Sequence, residues 1–284
     1  MANYFTERDK YLAKRLRVLR DQLPEFCEEF FVGIEPQTSP LTRLNYAYDL
    51  RIFFDYLLKN VRAFRDYKDV YDFVVEDLSK ITLGNLEAYV EYLSYYEFEG
   101  KEYTNAEKGK ARKLSTIRTF FKYYFNHDRI PSNVSAKLTM PKLHDKDIIR
   151  LEKKEVERIL DAAETGNGMT EHQRKIQRNT RSRDYAIVTL LLGTGIRVSE
   201  CVGIDIDDID FSQNGFFVTR KGGAQVILYF PDEVAAVLKD YVDERKTITA
   251  APGHENALFL SMQKKRINVR SVENLVKKYA LLAA

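Results

Sequence analysis

The chain has 284 residues, of which 44% are hydrophobic and 31% charged, and its formal net charge is +3. That length suits about two domains, and the hydrophobic share excludes a disordered chain. A sum this close to neutral identifies no partner, so the placement of charge along the chain carries the information.

Met1 to Lys10 is polar and charged, without the apolar stretch of a signal peptide. Tyr4 to Val32 is expected to be helical, because Leu12, Leu16, Leu19 and Leu23 recur at helical spacing among Lys and Arg, with Pro24 as a point of division. Gly33 to Pro40 is a connector. Thr42 to Leu58 is a second, broadly buried helix with Arg43 and Arg51 expected to face outward. Asn60 to Asp77 is irregular and aromatic, and Leu83 to Tyr96 is a third helix. After a polar loop, Gly100 to Gly109, a fourth helix runs from Lys110 to Phe125 on a stripe of Leu114, Ile117, Phe121 and Phe125. Ile130-Pro131-Ser132-Asn133 breaks it, and Met140 to Lys146 reads as a linker. The expected domains are 1–145 and 146–284.

The second domain opens with an acidic helix start at Leu151 to Val156, followed by an inserted polar loop, Gly166 to Asn179. Arg181 to Thr194 is a strongly apolar helix. Its longest apolar run, Ala186 to Gly193, is broken by Thr189 and falls short of the roughly 20 residues that span a bilayer. A cytoplasmic protein without a membrane partner is expected. From Ile204 the pattern turns β-like. Phe216 to Thr219 and Val226 to Phe230 flank Gly222-Gly223, a hairpin within a three-stranded sheet. Asp232 to Arg245 and Val269 to Leu282 are helices, the last on a stripe of Val272, Leu275, Val276 and Tyr279. The fold class is mainly α with a small antiparallel β-sheet. Cys27 and Cys201 form no ligand pattern, and there is no zinc spacing or phosphate loop, so neither a metal nor a nucleotide cofactor is expected.

Two motifs carry chemistry. Gly193-Thr194-Gly195-Ile196-Arg197-Val198-Ser199-Glu200 sets an Arg and a Glu three residues apart, on one face if a helix restarts there. The planar fork of Arg suits a phosphate, and Glu can orient it. Thr219-Arg220-Lys221-Gly222-Gly223 puts a lysine at a hairpin tip, where a cation can enter a groove or protonate a leaving alkoxide.

Together these motifs resemble the tyrosine recombinase (phage integrase) family, and within it the Xer-type single-recombinase chromosome-dimer resolvases. The resemblance covers nearly the whole chain. It implies a helical core-binding domain followed by an α+β catalytic domain. It implies that Arg197 grips the scissile phosphate, that Glu200 supports the site, and that Lys221 protonates the departing 5′-hydroxyl. Arg220, next door in the sequence, is the alternative contact. It also implies DNA recombination and DNA integration through a 3′-phosphotyrosine, without metal or cofactor, by a homo-tetramer on a double-stranded DNA site. Chromosome partition and the cell cycle are the implied cellular setting.

The family pattern continues with a His-x-x-Arg box, a later His or Trp, and the tyrosine. None of His127, His144, His172 and His254 has an Arg three residues on. The expectation is therefore a truncated catalytic domain that binds DNA without a nucleophile and assembles more weakly. A non-catalytic DNA-binding protein or competitor is the alternative. Tyr279, on a helical stripe, is expected in the core. Lys108, Lys110, Arg112, Lys113, Arg118 and Lys122 form an acid-free basic cluster, the expected backbone-gripping face of the first domain. Two further basic stretches, Arg174 to Arg183 and Lys264 to Arg270, are open between DNA contact and a solvated surface.

Overall fold

The computed structural model describes residues 4–144, 150–220 and 223–283. The chain divides into two compact units, Met1–Asp147 and Ile148–Ala284.

Unit 1 is helical. Helices α1 (Tyr4–Arg20) and α2 (Cys27–Gly33) are separated at the turn holding Pro24, as the proline demands. Helix α3 (Pro40–Asn60) starts behind Ser39, whose hydroxyl accepts from the Thr42 N–H, with Pro40 in its first turn. Short 3₁₀ turns at Arg62–Phe64, Val70–Asp72 and Val75–Lys80 carry the chain to α4 (Leu83–Tyr92), which Thr82 caps through the Asn85 N–H. Helix α5 (Glu107–Asn126) lies on the aromatic core. There Phe26, Phe30, Phe54, Phe120 and Tyr124 meet edge to face at centroid separations of 5.1–6.1 Å, a geometry aromatic quadrupoles favour.

Several expectations change in unit 1. The third helix stops at Tyr92, and the expected polar loop is a β-hairpin, β1 (Tyr95–Phe98) with β2 (Lys101–Thr104). Glu99 and Gly100 turn it, both at positive φ. Arg43 does not face outward; it is 8% exposed and donates to the Glu35 and Thr38 carbonyls at 2.8 and 3.0 Å. Arg51 lies over the Phe98 ring and pairs with Glu99, which fixes the hairpin to α3. Phe125 is exposed, and Phe120 and Tyr124 take the core positions of α5.

Unit 2 packs α6 (Lys153–Thr165), α7 (Glu171–Gln177), α8 (Arg181–Thr194) and the four-residue α9 (Val198–Cys201) beside α10 (Asp232–Thr247) and α11 (Val269–Ala283). The expected inserted loop is thus partly α7. Its first turn is closed by Thr170 and Gln173, and buried Gln177 donates to the Ala163 carbonyl of α6 at 2.9 Å. Buried α8 contacts α6 and α10, while α11 rests on α6, α8 and α9. Strands β3 (Ile209–Asp210), β4 (Gly215–Thr219) and β5 (Gln225–Tyr229) form one antiparallel sheet in that order, with Phe217 opposite Ile227 and Thr219 opposite Gln225. Among the described residues the fold is mainly helical with two small antiparallel sheets. Among the described residues, no helix is long and apolar enough to cross a membrane.

Candidate phosphate site and nucleic-acid interface

Helix α8 ends at Gly195, which adopts φ +64° and donates its N–H to the Leu191 carbonyl at 3.0 Å. Only glycine takes this left-handed cap without strain. The turn aims the chain so that Arg197, in an extended conformation, is the N-cap of α9. Glu200, 4% exposed, then folds back. One carboxylate oxygen accepts the Arg197 backbone N–H at 3.0 Å, and the other accepts Nη1 of the same arginine at 2.9 Å. The Arg197 side chain stays 64% exposed. A buried carboxylate therefore fixes one edge of an exposed guanidinium, leaving its other N–H donors for an anion.

The ground under α9 is also held. Arg266 donates to the carbonyls of Val202 and Ile204 at 3.0 and 2.9 Å and pairs with Asp205, locking the segment that follows Glu200. The sequence left Arg266 open between DNA contact and a solvated surface. The structure turns it inward, at 11% side-chain exposure. Gly193 shows why α8 approaches α10 so closely: a Cβ there would stand 2.5 Å from Cγ2 of Val234.

Lys221 lies outside the described residues. Its neighbour Arg220 is exposed, and the turn around it is closed by the Arg220 N–H on the Ala224 carbonyl at 2.8 Å and the Gly223 N–H on the Arg220 carbonyl at 3.0 Å. Tyr279 is fully buried. Its hydroxyl donates to Asp184 at 3.0 Å, and burial raises its pKa further from the range where phenolate forms. Tyr241 is 2% exposed and donates to the Leu258 carbonyl. Tyr229 is exposed, but at the end of β5 remote from the hairpin turn.

The basic cluster of α5 separates into two sets. Lys108, Arg112 and Lys122 are exposed, and Lys110, on another side of the helix, donates to Ser94 Oγ at 2.6 Å. Arg112 is half exposed but spends its fork on buried Asp49, at 2.6 and 2.7 Å. Lys113 leaves the candidate DNA-facing set. It is 6% exposed, shares the stripe of Ile117 and Phe120, and lies 3.4 Å from Asp49. Burial lowers its pKa, with Asp49 opposing that effect. Arg118 is half buried and donates to the Leu138 carbonyl.

The profile of the phage integrase family matches residues 149–284. A tyrosine recombinase XerC from Caldanaerobacter subterraneus subsp. tengcongensis is 31% identical over 264 residues, covering 90% of this chain and 68% of its own. A tyrosine recombinase XerS from Streptococcus thermophilus is 25% identical, covering 95% and 82% respectively. A lambda integrase dimer bound to a core site shares the fold at a TM-score of 0.59 and 16% identity, covering 91% of this chain and 80% of that one. XerH bound to its difH substrate does so at 0.58 and 16%, covering 87% and 63%. With a relative above 30% identity along nearly the whole chain, and the TGIRVSE turn built as a Glu-braced arginine, the chain belongs to the tyrosine recombinase family.

Proposed function

We propose that this chain is the DNA-gripping part of a site-specific recombinase. Arg197 holds the phosphate at the cleavage position, Glu200 fixes its fork, and Lys221 serves as general acid, with Arg220 beside it as the alternative phosphate contact. The observation that carries this reading is the double grip of Glu200 on Arg197, at 3.0 and 2.9 Å, beneath an exposed guanidinium. Preorganised cations stabilise the charge that develops as a phosphoryl centre is attacked.

In the family reaction a tyrosine oxygen attacks phosphorus and the 5′-oxygen departs with a proton. The 5′-hydroxyl of a partner strand then reverses the step. The bond energy stays in the phosphotyrosine, so no metal or cofactor enters. These 284 residues contain no His-x-x-Arg box. In unit 2 Tyr241 and Tyr279 are buried, Tyr229 is remote from the hairpin turn, and Tyr185 is half-buried in α8, where burial and Glu164 raise its pKa. We therefore assign DNA binding, without the nucleophile, to this chain. Of the α5 cluster, Lys108 and Lys122, exposed and without a carboxylate partner among the described residues, would grip the backbone from unit 1, whereas Arg112 is committed to Asp49. A related lambda integrase is named as a dimer on a core site and another as a tetramer on a Holliday junction. These names support assembly on DNA. We assign this chain a monomer or dimer there, in the cytoplasm, with chromosome-dimer resolution as the setting that the Xer resemblance implies.

The test is duplex affinity. Arg197→Ala should weaken binding about 10- to 100-fold, the worth of roughly 1.5–3 kcal/mol for a charged hydrogen-bonded contact. Glu200→Gln should weaken it less, because the fork remains but is no longer fixed. Unchanged affinity in both variants would refute the assignment. Sizing the protein with its DNA tests the assembly, and a stable tetramer would count against it.

A further inference from the structure

Helix α9 is a single turn of four residues, too short to be stable by its own hydrogen bonds. Its first turn is closed by Glu200 on Arg197. The carbonyls at its other end have no further turn to take them. Arg266, 64 residues along the chain, takes that place. Its Nη1 donates to the carbonyl of Val202, the C-cap residue, at 3.0 Å and to that of Ile204 at 2.9 Å, while its Nη2 pairs with Asp205.

Arg266 itself stands on a fixed platform. The carbonyls of Ala257, Leu258 and Leu260 accept from Arg245 at 3.0 Å, Tyr241 at 3.0 Å and Arg183 at 2.7 Å. The Ile267 N–H returns to the Phe259 carbonyl at 2.9 Å, and the Leu258 N–H reaches the Ile204 carbonyl at 3.1 Å. Ala257, Leu258 and Phe259 are buried. Glu200 can aim the Arg197 fork only as firmly as its own turn is held, and this platform is what Arg266 ties that turn to.

We infer that Arg266 is a positioning residue for the phosphate grip: by tying the C-terminal end of α9 to the segment 257–267, it fixes the direction in which Glu200 holds Arg197. The inference rests on the DNA-binding reading above. It gives Arg266 no phosphate of its own, since that side chain is 11% exposed and its fork is spent on three oxygens.

Cys201, the last residue of α9, reports on the turn directly. It is fully buried, and burial raises its thiol pKa to about 12, so a thiol reagent reaches it only when α9 opens. Cys27, buried in unit 1, is the reference. In the full chain, Arg266→Met should speed modification of Cys201 about 3- to 10-fold, the worth of about one hydrogen bond, and leave Cys27 unchanged. It should weaken duplex binding by a similar factor, about 3- to 10-fold, but by less than about twofold beside Arg197→Ala, because it acts through that arginine. If Arg266→Met melts early, Arg266→Lys, which keeps the charge but has one nitrogen where Arg266 uses two, enters the same cycle and should show the same pattern with a smaller loss. An equal loss of affinity in both backgrounds, or none in either, overturns the positioning role. So does a fall of about 0.9 in the slope of log affinity against log salt when Arg266→Met is added to Arg197→Ala, which would mark a phosphate held by Arg266 itself. Arg197→Ala without effect on affinity overturns the DNA-binding reading, and the inference with it.

Discussion

Asp49 is fully buried and collects the fork of Arg112, the Thr116 hydroxyl at 2.8 Å and the Lys113 ammonium at 3.4 Å. Desolvating a carboxylate and an ammonium is tolerable only while each has the other. Asp49→Asn should therefore cost roughly 3–5 kcal/mol, measured by denaturant unfolding, and adding Lys113→Met should restore much of it. A loss below about 1 kcal/mol for the single variant would show that the network is not what compensates Lys113. The same residues show where sequence reading stopped. Counting Lys and Arg between 108 and 122 finds a basic segment but ignores helical phase. Lys113 falls one residue before Leu114 and four before Ile117, on the core stripe. Its acidic partner is 64 residues away, beyond the reach of local pattern. Arg197 and Glu200 were legible because their pairing is local, three residues apart at a turn marked by Gly195.

At the scale of elements, α5, with its apolar stripe, and α8, apolar on nearly every side, matched expectation to within a few residues at each end. The β1–β2 hairpin was missed because Glu99-Gly100 is a weak turn signal beside Asn-Gly or Asp-Gly, and only Tyr96 of its strands is buried. Helix α7 was hidden for a related reason. It is short and almost wholly exposed, and a single residue, Gln177, anchors it to α6. The α8–α10 contact gives a sharper prediction. Gly193→Ala meets Val234 Cγ2 and should destabilise by about 1–3 kcal/mol, the usual cost of overpacking. Gly193→Ala with Val234→Ala should recover part of that loss. Thermal melts of the two variants decide it, and equal stability of Gly193→Ala and wild type would refute the close approach. Gly195→Ala meets no atom within 4 Å, so its cost is that of the left-handed backbone alone, about 1 kcal/mol.

For the whole molecule, the sequence conveyed a mainly helical chain with small antiparallel sheets, because periodicity and turn residues are local properties. It could not convey that Arg183 and Lys265 line one cleft, or that Arg266 braces the segment after α9, because these are products of tertiary packing. The proposed function has this chain grip DNA through an oriented arginine without supplying the attacking tyrosine. The most direct measurement incubates the protein with nicked duplexes carrying candidate core sites and runs each mixture on denaturing and native gels. A nick lets the departing strand diffuse away and so traps any phosphotyrosine. Salt-sensitive retention on the native gel and no covalent adduct on the denaturing one are the expected results. An adduct would place a competent tyrosine in this chain and refute the proposed function, as would the absence of retention at low salt.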